Sequence, residues 1–297
     1  MIDIIIPAYN SHDTINRTLL SIVYQKNSKD LNVIIINDGS TNDYLDEVEY
    51  FKQFINIREI TLKENIGPGY ARQYGLDHSK SKYVIFIDAD DVFYSPLSVI
   101  ELYKCIESKK ADMVISDYIV QNKNNELKIY DNTLLGLHGK IYRRSFLKRN
   151  NIRFINIEGE EDTNFNYQCH LKDAKIRYLN ITTYIYLYNG KSLTNKENYY
   201  KSNIEYYLKG INYLIKLDKT NKEKLKELCY RALLNAYFED YIGNKLDDIY
   251  TCYCKLSSTD IDEEKIYKEF INNSSYDQIK KNITFISFLN MLGGRLW

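Results

Sequence analysis

The chain has 297 residues, enough for one large domain and a smaller one around a true apolar core. Its 40 basic and 40 acidic side chains cancel, which excludes a global field drawing in nucleic acid or an acidic membrane, so any anionic ligand must be bound locally. Five cysteines, Cys105, Cys169, Cys229, Cys252 and Cys254, fall at no metal-pair spacing, and their odd number argues against a disulfide framework.

The opening MIDIIIPAYN reads as a strand and a turn, with neither the basic region nor the apolar core of a signal peptide. No window reaches the roughly 18 apolar residues of a membrane span, and the expected location is the cytoplasm. Short apolar runs then alternate with helical patterns. IDIIIP is followed by a helix over about 13–25, LNVIIIN by one over about 44–54, IREITL by one over about 68–79, and YVIFID closes the series. Near-continuous apolar strands separated by helices predict an α/β fold, a Rossmann-like, mostly parallel sheet with helices on both faces. From about Met113 the pattern changes to strands and hairpins, MVISDYIV, ELKIYDN, KIRYLN and TTYIYLY, with one helix opening at GEEDTNFNYQCHL. Beyond Asn195 only helical spacing remains. The expected organisation is therefore a catalytic domain over 1–195, divided near 112, and a helical C-terminal subdomain over 196–297.

The three prolines, Pro7, Pro68 and Pro96, lie just after strands or at helix openings, where a missing N–H costs least. In doubly wound sheets ligands bind beyond the C-terminal ends of the strands, and PAYN, NDGS, ENIGPG and DADD all sit there. Asp88, Asp90 and Asp91 concentrate negative charge at one strand end, and such clustering requires a cation or donors nearby. The spacing Asp88-Ala89-Asp90 can turn one carboxylate toward a metal and the other toward a ribose or a second ligand oxygen. Magnesium and manganese favour such oxygen ligands together with substrate phosphates. The alternative is a capped turn leading to Ser95-Pro96. Arg72 lies early in a helix, where the dipole mildly disfavours a cation, so it is expected to face a partner: Asp88, Asp38 or a phosphate.

The ordered set IIIPAYN, VIIINDGSTND, NIGPGYARQYG and FIDADD resembles the inverting glycosyltransferase family 2, over roughly residues 1–195. The resemblance implies a GT-A fold, a UDP-sugar donor, a divalent Mn2+ or Mg2+ cofactor and single sugar transfer in bacterial or phage surface-glycan or other glycoconjugate synthesis. It places Pro7, Ala8, Tyr9 and Asn10 in the first nucleotide loop, with Tyr9 as a base-stacking platform. Asp38 becomes the acceptor for uracil N3, or alternatively forms an Asx-turn with Gly39 and Ser40. Gly67, Arg72, Asp88 and Ala89 join the nucleotide-sugar site, and Asp90 with Asp88 holds the metal.

Inverting transfer also needs a base for the acceptor hydroxyl. GEEDTNF resembles the family's acidic helix start and assigns that role to Asp162, with Glu161 beside it; repulsion among Glu160, Glu161 and Asp162 is expected to raise at least one pKa. HGKIYRRSFL and YNGKSLTN bear a weaker resemblance and offer His138, Lys140, Lys191 and Ser192 as acceptor or diphosphate contacts. The acceptor is expected to be a glycan, a lipid-linked sugar or another hydroxyl compound. Processive family members carry Q-x-x-R-W and membrane helices, neither of which is present. A GT-A-like nucleotidyltransferase or a catalytically inactive scaffold are the alternatives. The apolar tail ITFISFLNMLGGRLW, with Lys280 and Lys281 before it, is expected to pack as core or to mediate a homodimer or a peripheral contact with the inner face of the membrane.

Overall fold

The computed structural model describes residues 1–41, 44–131, 133–157, 159–190 and 203–238. Lys191, Ser192 and the apolar tail lie outside the described residues. The chain divides into two compact units, Met1–Lys196 and Glu197–Trp297.

In the first unit, β1 (Ile2–Ala8), β2 (Leu31–Asn37), β3 (Asn56–Thr61) and β4 (Tyr83–Phe86) alternate with α1 (Ile15–Val23), α2 (Leu45–Phe51) and α3 (Pro68–His78). These four strands are parallel, in the spatial order β3-β2-β1-β4. The continuous apolar runs of β1, β2 and β4 are explained by burial on both faces, whereas the edge strand β3 is partly exposed. Ile4 and Ile6 pack in one cluster with Ile15, Leu19 and Ile22 of α1, whereas Ile5 joins the other with Ala71 and Leu76 of α3. Successive side chains along a strand point to opposite faces, so one run of isoleucines supplies both layers.

Beyond β4 the sheet becomes mixed. It continues through β8 (Lys140–Arg143), β6 (Met113–Gln121), β9 (Ile176–Tyr186) and the two-residue β5 (Val92–Phe93), and β7 (Leu127–Tyr130) pairs with β6. The two runs expected at KIRYLN and TTYIYLY are one strand, β9. It stays continuous because its register against β6 shifts at Ser116–Tyr118, an irregularity that absorbs the break in pattern. α4 (Ser98–Ser108) buries Val99, Leu102 and Ile106. α5 (Arg144–Arg149) and α6 (Glu161–Leu171) contribute Phe146, Leu147 and Phe165 to the cluster beneath α3. The second unit is helical in its described part, with α7 (Asn203–Leu217) and α8 (Lys222–Phe238) in contact.

Candidate active site

The four loops that follow β1 to β4 are tied to one another by hydrogen bonds. After β1, Asn10 takes a left-handed conformation with φ 50°. Its amide donates to Ser40 Oγ (3.0 Å), and its side-chain oxygen accepts from Thr41 N–H (2.9 Å), joining PAYN to NDGS. Ala8 is buried, whereas Tyr9 is 48% exposed, which leaves its ring available to a planar ligand.

Asp38 is buried and accepts the N–H groups of Ile66 (2.8 Å) and Gly67 (3.0 Å), fixing NDGS to the loop before α3. Burial raises its pKa above the usual carboxylate value, and these two donors oppose the rise. The loop is closed locally by Asn37, whose Oδ1 accepts from Ser40 N–H at 3.0 Å. Gly39 allows the two loops to approach. At φ 67°, a Cβ there would lie 2.5 Å from the backbone carbon of Glu64, so only glycine fits.

Arg72, on α3, has its partners after β4 and at the start of α6. Its Nη2 donates to Asp88 Oδ1 at 2.6 Å and its Nη1 to Glu161 Oε1 at 2.9 Å. Burial alone would lower the guanidinium pKa, but the charges of Asp88 and Glu161 outweigh it and hold the group protonated. Of the three partners expected for Arg72, the structure selects Asp88 and adds Glu161. Glu161 reaches it over Gly69, where a Cβ would lie 2.7 Å from Glu161 Cγ. The arginine thus links the end of β4 to the start of α6.

The three aspartates after β4 differ in environment. Burial would raise the pKa of Asp88, yet the charge and hydrogen bond of Arg72 keep it below the usual value. Asp90 is raised by burial and then by Asp88, with the Asn189 Nδ2 hydrogen bond (2.9 Å) opposing. Asp91 is fully buried and is raised well above the usual range by burial and by both neighbours. Its oxygens accept from Tyr184 Oη–H (2.6 Å) and Leu187 N–H (2.9 Å). Asp91 therefore anchors the loop to β9, while Asp88 and Asp90 are part-exposed. α1 supports the same loop: Arg17 Nη2 donates to Asp90 O (2.6 Å) and Thr18 Oγ1 to Asp91 O (2.8 Å). Sequence reasoning missed Arg17, Thr18 and Tyr184, and no local motif marks them.

At the start of α6, Glu161 is buried against Arg72, and burial followed by the charge of Asp162 pushes its pKa to about 7 while Arg72 opposes. Asp162 is part-exposed. Burial raises it as well. Its Oδ1 accepts the N–H of Thr163 at 2.5 Å, and among the described residues Oδ2 receives no hydrogen bond. Glu161 Oε2 also has no partner, but it is sealed from solvent, so of the adjacent acids only the part-exposed Asp162 has an oxygen to offer.

His138 brings a ligand atom within 4.8 Å of those of Asp88 and Asp91. Lys140 is buried, and its Nζ donates to Leu135 O (2.9 Å) and His138 O (3.2 Å). Burial lowers its pKa to about 7.

A family model described as glycosyl transferase family 2 matches residues 3–171, more than half of the chain. A poly(ribitol-phosphate) beta-glucosyltransferase of Bacillus spizizenii is 30% identical over 203 residues, which cover 63% of this chain and 32% of that protein. The chain spans about a third of the length of the first curated relatives it matches. Among solved structures, Staphylococcus aureus TarS 1-349 in complex with UDP-GlcNAc superposes with a TM-score of 0.71 at 20% identity, covering 90% of this chain and 83% of that one. The mannosyltransferase PcManGT from Pyrobaculum calidifontis, in complex with GDP-Man and Mn2+, gives 0.51 at 12% identity over 99% and 79% of the two chains. These likenesses establish the GT-A fold.

Proposed function

The chain belongs to glycosyltransferase family 2, and from that membership we propose that it moves a sugar, with inversion, from a UDP-sugar to a hydroxyl of a bacterial surface polymer or its precursor. The observation that carries this reading is the Arg72 bridge, which brings the carboxylates after β4 and the acid-bearing start of α6 to the same cation. A sugar donor and an attacking hydroxyl need these two groups side by side.

On the donor side, Tyr9 offers an exposed ring for the base and Asp38 a carboxylate suited to uracil N3–H, with Pro7, Ala8, Asn10 and Gly67 shaping the loops around them. Asp38 already accepts two backbone N–H groups, but a carboxylate has about four lone-pair sites. TarS in complex with UDP-GlcNAc supports uracil as the base. Asp88 and Asp90 would hold the divalent cation, with Ala89 between them. The donor set fits, because Asp90 has its pKa raised by burial and by Asp88, a charge conflict that a cation relieves. The complex of PcManGT with Mn2+ supports the same choice. When bound, the cation supplies counter-charge to the leaving diphosphate.

On the acceptor side, Asp162 takes the proton of the attacking hydroxyl. A raised carboxylate pKa and an oxygen without a hydrogen bond suit a general base, and Arg72 holds Glu161 out of that role. The names of the relatives point to a polyol-phosphate polymer as acceptor. Such a reaction runs in the cytoplasm, at the inner face of the membrane when the acceptor is lipid-linked. None of the described helices is long and apolar enough to cross a membrane.

The test is to incubate the chain with UDP-glucose, UDP-N-acetylglucosamine and GDP-mannose, with and without Mn2+, measuring nucleotide release and thermal stability. One UDP-sugar is expected to stabilise the fold in the presence of metal, by about 2.7 kcal/mol at 100 times its Kd. If no nucleotide sugar is cleaved or bound, the reading fails.

A further inference from the structure

The segment from Leu134 to Gly139 is a loop held almost as firmly as a strand. Asn166 Nδ2 donates to the carbonyls of Leu134 (2.7 Å) and Gly136 (2.5 Å), and Tyr142 Oη–H fixes that amide by donating to its Oδ1 at 2.7 Å. The buried Lys140 takes the carbonyls of Leu135 and His138, and Ser116 Oγ takes that of Gly139 at 2.9 Å. Donors from β6, β8 and α6 thus fix one irregular stretch. A buried lysine is a costly device, offset here by two carbonyls and by the charge of Asp162, and it implies that the geometry of this loop matters.

The loop carries a single polar ring, His138. The imidazole stacks on Tyr118 with centroids 5.0 Å apart and meets Tyr184 and Tyr186 edge-on. Among the described residues Nδ1 has no hydrogen-bond partner and is sealed from solvent, so a ligand can meet the ring only through Nε2. A polar ring in an aromatic surround without a partner is disfavoured unless a ligand supplies one. The ring is part-exposed and lies beside Asp88 on the donor side. Gly136 lies between His138 and the base: a Cβ there would be 2.8 Å from His138 Nδ1 and 3.7 Å from Asp162 Oδ2. The ring therefore stands beside both the donor carboxylate and the acid proposed to receive the proton, where the transferred sugar must pass.

We infer that His138 is a sugar-contacting residue, its imidazole hydrogen-bonded to a hydroxyl of the donor hexose, and that the pinned 134–139 loop fixes it there. This rests on the UDP-sugar reading above. It adds the group that tells UDP-sugar from UDP, a distinction that the nucleotide loops do not make.

The test compares UDP with UDP-glucose and UDP-N-acetylglucosamine by calorimetry in the full chain, for wild type, His138→Phe and His138→Gln. Phenylalanine keeps the stack on Tyr118 and removes both nitrogens, whereas glutamine keeps a polar group. Relative to UDP, affinity for the accepted UDP-sugar is expected to fall about threefold to tenfold in His138→Phe and to be partly restored in His138→Gln, with UDP binding unchanged. If both variants keep the wild-type ratio, the inference is wrong while the functional reading stands. If UDP affinity and the Mn2+ requirement shift together, His138 serves the cation, which also overturns it. A wild type that binds neither UDP nor a UDP-sugar removes the reading beneath it. A thermal melt of each variant shows that it is folded, and if the phenylalanine variant is not, the glutamine variant alone decides: a UDP-sugar to UDP ratio equal to that of wild type overturns the inference.

Discussion

Arg72 joins two carboxylates that have no other cation at hydrogen-bond distance among the described residues, so its removal leaves Asp88 and Glu161 as neighbouring charges in a buried setting. Breaking a buried pair from one side typically costs about 3–5 kcal/mol. Arg72→Met is expected to lose that much in urea denaturation, and Arg72→Lys to recover only part, because an ammonium cannot reproduce the two-pronged geometry. A methionine variant within about 1 kcal/mol of wild type would show the bridge to be energetically idle, as exposed pairs are. Asp162→Asn probes the chemistry instead. Sugar transfer is expected to fall about 10²–10⁴-fold with UDP affinity unchanged, and near-normal turnover would remove Asp162 as base. The motif loops were legible because each is local. The contacts that make them a site were not: Asp38 meets Ile66 and Gly67 across 28 and 29 residues, and Asp91 meets Tyr184 across 93. Among 29 tyrosines, nothing in the sequence distinguishes the one that holds the acidic loop.

At the scale of elements, the parallel strands were readable from apolar runs flanked by helical spacing, whereas β5 has only two residues and β8, KIYR, begins and ends on a cation. α4 was not singled out although Val99, Leu102 and Ile106 have helical spacing. The N-terminal ends of the parallel strands show a device that no motif reveals. Asn56 Nδ2 donates to Asn32 Oδ1 (2.7 Å), and Asn32 Nδ2 donates to Asp3 Oδ1 (2.9 Å). Asp3 also accepts the N–H groups of Lys80 (2.6 Å) and Ser81 (2.8 Å). This polar chain spans β3, β2, β1 and the approach to β4, at the end of the sheet opposite the loops after β1 to β4. Burial would raise the Asp3 pKa, but its donors outweigh burial and leave it below the ordinary value of 3.8. A depressed folded pKa means that the ionised form stabilises the native state. The contribution is complete above the unfolded value and is lost as pH falls through the folded one. Asp3→Ala is expected to cost about 3 kcal/mol at pH 7, given about 1.5–3 kcal/mol for a hydrogen bond to a charged group. The gap between wild type and variant should narrow below pH 3.8; a gap independent of pH would mean that the carboxylate acts by shape alone.

For the whole molecule, the question is whether the family 2 unit is self-sufficient. Both apolar clusters of the sheet are drawn from residues no later than Tyr184 and Tyr186, within the Met1–Lys196 unit. The loops after β1 to β4, Arg72, the acidic run and Asp162 also belong to it, and the family match ends at residue 171. A unit of this size buries about 70% of the surface its unfolded chain exposes, enough for a cooperative fold. A fragment of residues 1–196 is therefore expected to unfold in a single transition and to bind UDP with Mn2+ within about tenfold of the full chain, a difference of about 1.4 kcal/mol. The domain division proposed near residue 195 stands on that result. Calorimetry on the fragment decides it, because a chain that folds but has lost UDP binding would assign part of the nucleotide site to residues after 196. A fragment that does not fold would make the second unit part of the core that supports the first.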